Sequence, residues 1–206
     1  MIAHSNIANI YINKTTDKKT YLKKAEIHAD LALELDNAYW FSNFVKGRIC
    51  LERQKLESAL KYFKIALKTS NDPKLLNDIG FVYLSKEELD FAIEYFNQAI
   101  KFKKKFTRAY FNRGKAWLQK ALKEQNLESK KQYLNNAHND FNKILTSQTT
   151  DNLKGKIYFS LALYYRSSGN LNTAINYIKE AILCDHQTNV KYSRILNKLE
   201  KIIKQN

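Results

Sequence analysis

Two cysteines, four histidines and twenty carboxylates are the groups of this 206-residue chain that could carry catalysis or hold a metal. Their spacing points to neither. The histidines His4, His28, His138 and His186 are assigned to four separate units of the chain, and no His-Glu-x-x-His arrangement or paired cysteine supplies a metal-ligand set. His28 with Asp30, and His138 with Asp140, stand two residues apart, a spacing that sends side chains to different sides of a helix. Cys50 reads as a buried structural thiol, and the two cysteines do not suggest a disulfide framework. With only five glycines there is no Gly-rich loop to cradle a phosphate. The expectation is a chain that is not an enzyme and has no cofactor and no metal.

The formal charge of +15 raises nucleic-acid binding as a second kind of chemistry. Residues 101–131 hold eleven Lys or Arg against Glu124 and Glu128, and Phe102, Phe106, Tyr110 and Trp117 are interleaved among them. Aromatics could stack bases while lysines neutralise phosphates. Only six of the cations are arginines, the residue favoured for planar phosphate recognition. An A+T-rich genome would itself enrich lysine, asparagine, isoleucine and tyrosine.

Elements that could position these groups follow from composition and period. One proline and five glycines leave few places to bend, which favours long helices joined by short turns over an all-β fold. No apolar run approaches the ~18–20 residues that span a bilayer, and residues 1–6 lack the features of a signal peptide, so a cytoplasmic location is expected. Gly47 is followed at 12, 16 and 19 residues by Ala59, Phe63 and Ala66. Gly80 is followed at the same offsets by Ala92, Phe96 and Ala99, and Ala162 by Ala174, Ile178 and Ala181. Gly47, Gly80 and Gly114 are themselves 33 and 34 residues apart. Such a period marks stacked helix pairs. In each pair the glycine on helix A admits the backbone of helix B, the alanine is the reciprocal small residue, and the aromatic fills the space between repeats.

On these residues the chain resembles the tetratricopeptide repeat (TPR) family. Residues 73–106 carry the fullest match, through Leu76, Ile79, Gly80, Tyr83, Ala92, Phe96 and Ala99. Residues 40–72 match through Gly47, Leu56, Ala59, Phe63 and Ala66, but Asn43 and Lys46 replace large apolar residues there. Residues 155–188 match through Leu161, Ala162, Tyr165, Gly169, Ala174 and Ala181. The resemblance implies an all-α, right-handed superhelical solenoid, one domain over 1–206. Its units are 1–37 (partial), 38–72, 73–106, 107–150 and 152–186, with a capping helix over 187–205. In the third full unit Ala137, Phe141 and Ile144 arrive eleven residues late. That is about three helical turns, which either lengthens both helices or makes a loop. Ala25, Ala29 and Ala32 put a helix B over 18–35, and Tyr192, Ile195, Leu199 and Ile202 give the last helix one apolar face.

The resemblance also implies that helix A lines a concave groove with ligand contacts at set positions. Here these are Phe41, Phe44 and Arg48, then Asn77, Asp78 and Phe81, then Arg108, Phe111, Asn112 and Lys115, then Lys156 and Phe159. Aromatics could bury apolar anchors, asparagines bond a peptide backbone, and cations attract carboxylates. Alternatively the phenylalanines pack between adjacent A helices and the cations are solvated. The two-carboxylate clamp of chaperone-associated TPR domains is matched only by Asn112 and Lys156. Asn77 stands where Lys is wanted, Phe81 where Asn is wanted, and Ser160 where Arg is wanted. The function expected is a protein-interaction scaffold for a peptide or partner segment of acidic character. The alternatives are nucleic-acid binding through 101–131 and a regulatory module of a larger protein.

Overall fold

Asp72 and Pro73 illustrate how helices start in this chain. The Asp72 carboxylate accepts a hydrogen bond from the Lys74 amide at 2.7 Å, and Pro73 takes the first helical position, where an amide has no partner to lose. A computed structural model describes the chain except Thr15, Gln148, residues 185–188 and Asn206. Every regular element among the described residues is an α-helix. One compact unit, Met1–Lys105, holds α1 (Ile2–Ile12), α2 (Lys18–Leu35), α3 (Trp40–Glu52), α4 (Leu56–Leu67), α5 (Pro73–Ser85) and α6 (Leu89–Phe102). The other, Phe106–Asn206, holds α7 (Thr107–Lys123), α8 (Leu127–Leu145), α9 (Asp151–Ser167), α10 (Leu171–Cys184) and α11 (Asn189–Gln205). Within each unit helices pair as hairpins, and each hairpin packs on the next in sequence. The partial N-terminal unit is a complete hairpin, α1 against α2.

The glycines meet aromatic rings more than backbone. A Cβ on Gly80 would lie 2.7 Å from Phe96 Cε1 and 3.2 Å from the Ala92 carbonyl oxygen. On Gly114 it would lie 2.5 Å from Phe141 Cε1, and on Gly47 it would overlap Phe63. Phe63, Phe96 and Phe141 are fully buried. At Gly80 the Ala92 carbonyl also stands close, and in each of the three hairpins the aromatic of helix B is the group nearest the glycine. In the α9–α10 hairpin, Ala162 and Ile178 take these places, a larger residue against a smaller one.

The turn inside each standard hairpin places one residue in the left-handed region: Gln54 (φ 59°), Glu87 (φ 61°) and Gly169 (φ 83°). The next amide then reaches back to the helix, as from Lys55 to the Cys50 carbonyl at 2.9 Å and from Asn170 to that of Tyr165 at 2.9 Å. The α7–α8 turn is different. Glu124 is extended and its carboxylate accepts from the Gln125 and Asn126 amides at 2.9 Å each. Asn126 caps α8 by accepting from the Ser129 amide. The late arrival of Ala137 and Phe141 is therefore helical extension, giving α7 17 residues and α8 19, against 13 and 14 in α5 and α6.

The departures Asn43 and Lys46 are both buried, and both are satisfied. Asn43 donates to the carbonyls of Asn37 at 2.8 Å and Tyr39 at 3.0 Å, tying down the start of α3. Lys46 donates to Asp30 at 2.5 Å and Glu26 at 3.3 Å on α2, and Glu26 also pairs with Arg53. Burial pulls the Lys46 ammonium down, but Asp30 and Glu26 more than offset it and hold it above 10.5. In the second unit Tyr192 and Leu199 of α11 are buried against Ala174 and Ile178, so this helix covers the end of the last hairpin. Ile202, expected on that face, is instead 44% exposed. The first residues of the expected cap, 187 and 188, lie outside the described residues.

His138 on α8 is half-buried, and burial holds its imidazole below the ordinary 6.5. The unfolded chain therefore takes up a proton first as pH falls. The contribution of neutral His138 to stability is complete above 6.5 and is lost as pH falls through the lower folded value. Urea midpoints measured between pH ~7.5 and ~5 should fall less steeply for His138→Gln than for the parent. Equal slopes would reject the assignment.

Candidate functional site

The groove candidates of the first unit lie on α3 and α5. Phe44 is 3% exposed and tilts against Phe63 of α4 at 6.1 Å, while half-buried Phe41 meets the Trp40 ring edge at 5.3 Å. Asn77 is buried and donates to Asp78 at 3.0 Å, and Phe81 is half-buried. Arg48 is engaged on two sides. Its Nη atoms donate to Asn9 Oδ1 at 2.6 Å and Asn13 Oδ1 at 3.0 Å, and Nε lies 3.6 Å from Asp78 Oδ2. One guanidinium thus joins α1 and α5 across α3, while stacking 5.7 Å over the Phe44 ring. The α1 asparagines carried no signal in the sequence, because they lie outside the repeat register.

The second unit holds the remaining candidates on α7 and α9. Arg108 and Lys156 are exposed, Asn112 is buried, and Phe111 is half-buried 6.2 Å from Phe141. Lys115 lies 5.9 Å from the Phe111 ring, and burial lowers its ammonium below 10.5. Phe159 stacks on Tyr192 of α11 at 4.6 Å, with Lys191 5.2 Å from its ring. The Ser160 hydroxyl donates to the Lys156 carbonyl at 2.8 Å. Within 101–131, Trp117 stacks on Tyr133 of α8 at 5.6 Å, and Tyr110 faces Arg113 and Lys143. Phe102 is 57% exposed.

Two groupings were not expected from sequence. His4 and His28 belong to one hairpin, correcting their assignment to separate units: their Nδ1 atoms are hydrogen-bonded at 2.9 Å and their rings stack. His186 lies outside the described residues. Arg113 and Asp140 form a two-point ion pair between α7 and α8, Nε to Oδ2 at 2.8 Å and Nη2 to Oδ1 at 2.5 Å. Cys50 is buried and burial raises its thiol, a setting that suppresses reactivity. No group of three or more His, Cys, Asp or Glu among the described residues could hold a metal ion. No helix among them is long and apolar enough to cross a membrane.

Helix hairpins in this register have the fold of tetratricopeptide-repeat structures. Residues 73–106 and 155–184 match the family model described as tetratricopeptide repeat. A curated relative, the STIP1 homolog of Dictyostelium discoideum, is 30% identical over 96 residues, 43% of this chain. The chain spans only 17% of that relative's length. The fold is similar to that of a thermophilic TPR protein of Thermus thermophilus (TM-score 0.68, 14% identity, 95% of this chain and 98% of that one). It is also similar to YrrB, described as a TPR protein with an unusual peptide-binding site (TM-score 0.59, 19% identity, 94% of this chain and 91% of that one).

Proposed function

We propose that this chain is a non-catalytic, cytoplasmic protein-interaction scaffold that holds an acidic peptide segment against its A helices. The observation that carries the reading is the α7–α9 surface. Two exposed cations, Arg108 and Lys156, flank half-buried Phe111 and Phe159 and buried Asn112. Cations there attract carboxylates while ring edges give apolar purchase. The peptide-binding site named for YrrB and the likeness to the STIP1 homolog support the same class of role. Phe111 and Phe159 each have packing partners, so their contribution is the part of their surface left open.

Exposed Phe102 among Lys101, Lys103, Lys104 and Lys105 keeps nucleic acid as a second reading. The partnered rings of Trp117 and Tyr110 favour the peptide. Arg108→Glu and Lys156→Glu should each weaken capture of partner proteins from the native extract, by about three- to tenfold, with unchanged circular dichroism. Equal capture by parent and variants rejects the peptide reading. Steeply salt-dependent binding of a single-stranded oligonucleotide would favour the alternative.

A further inference from the structure

Among the described residues each buried charged side chain faces an opposite charge. Lys46 has Asp30, Asp78 has Arg48 and Asp140 has Arg113. Lys115 differs: it is half-buried, makes no ion pair among the described residues, and burial alone depresses its ammonium. An ammonium partly removed from water and left without a counter-charge is stabilised by any carboxylate that arrives beside it.

Lys115 also stands at the edge of a cavity of about 200 Å³ between α7 and α9. Its walls are mainly Leu118 and Leu122 from α7 and Leu163 and Tyr164 from α9, with polar groups from Gln119, Ser167 and Ser160, whose hydroxyl is bonded to its own helix. Leu122 lies in the last turn of α7, in the stretch by which that helix outruns α5. Part of this wall therefore exists because of the extended hairpin. An apolar hollow beside an unpaired cation selects two neighbouring features in one ligand.

We propose that this cavity is a specificity pocket for a bulky aliphatic side chain standing next to an Asp or Glu in an acidic peptide. The aliphatic group fills the leucine-lined hollow while the carboxylate pairs with Lys115. The inference rests on the peptide reading above and sharpens it. Acidity alone attracts a ligand to Arg108 and Lys156, whereas the pocket chooses which acidic segment stays.

The test is selection from a displayed library of random peptides, fused so that no free C-terminus is presented, followed by fluorescence anisotropy with the synthesised winners. The expected winners carry Leu, Ile or Met adjacent to Asp or Glu. They should lose about tenfold in affinity against Leu122→Ser, whose parent side chain is 38% exposed. A similar loss is expected against Lys115→Gln, and against Ser160→Phe, which fills the hollow. Winners that weaken on Arg108→Glu or Lys156→Glu but ignore all three pocket variants overturn the pocket and leave the groove standing. A library that yields no binder at all overturns both.

Discussion

A Phe96→Ala variant is expected to lose about 3–5 kcal/mol of stability, because a fully buried ring leaves a cavity its hairpin cannot close. Chemical denaturation followed by circular dichroism measures this directly. The ring's partner makes the test sharper. A methyl added at Gly80 would lie 2.7 Å from Phe96 Cε1 and 2.8 Å from Cδ1. Two effects then compete: overlap at about 1–3 kcal/mol against, and helix propensity at up to ~1 kcal/mol in favour. Overlap wins in the parent, since the ring is enclosed on every side and has nowhere to turn. In a Phe96→Ile background the ring overlap is relieved and the 3.2 Å approach to the Ala92 carbonyl oxygen remains against propensity, so Gly80→Ala should cost clearly less than in the parent. The α9–α10 hairpin already carries that exchange, with Ala162 and Ile178 both buried. If Gly80→Ala costs the same in both backgrounds, the glycine serves something other than the ring.

Asp140→Ala is expected to cost about 3–5 kcal/mol, because it removes the carboxylate that meets the Arg113 guanidinium at two points between α7 and α8. Asp140 is 3% exposed, and burial lifts its carboxyl above 3.8 even against the pull of Arg113. Taking the ionised carboxylate out of water is therefore costly, and the Arg113 guanidinium, with a lesser pull from Lys143, offsets part of it. The double variant Arg113→Met, Asp140→Leu should accordingly recover most of the loss, as apolar replacements of buried pairs do. Melting curves of the single and double variants decide it. A double variant as unstable as Asp140→Ala would mean that the pair adds stability beyond satisfying its own charges.

The repeat was legible in sequence because its determinants recur at one period and act within one hairpin. Gly47 and Phe63, Gly80 and Phe96, and Gly114 and Phe141 could be matched without knowing how hairpins stack. The N-terminal alanines put helix α2 over residues 18–35, where it is found. Features that join different helices outside that register were not legible. Lys46 looked like a misfit because its partners, Asp30 and Glu26, belong to the preceding hairpin. His4 and His28 lie 24 residues apart, and only the packing of α1 on α2 brings them together. The insertion between Lys115 and Ala137 held no breaker, so helix and loop stayed open until the Glu124 and Asn126 turn was seen. The groove positions could be assigned from the family register, but the burial of Phe44 and Asn77 depends on neighbours that no register supplies.

Arg48 links Asn9, Asn13 and Asp78, one residue gearing three successive hairpins of the first unit. Its grip on α5 is the looser, at 3.6 Å from a carboxylate rather than 2.6 Å from an amide. A peptide carboxylate reaching this guanidinium would compete first with Asp78, the more distant of its partners. Arg48 would then answer both to the ligand and to the contact between successive hairpins.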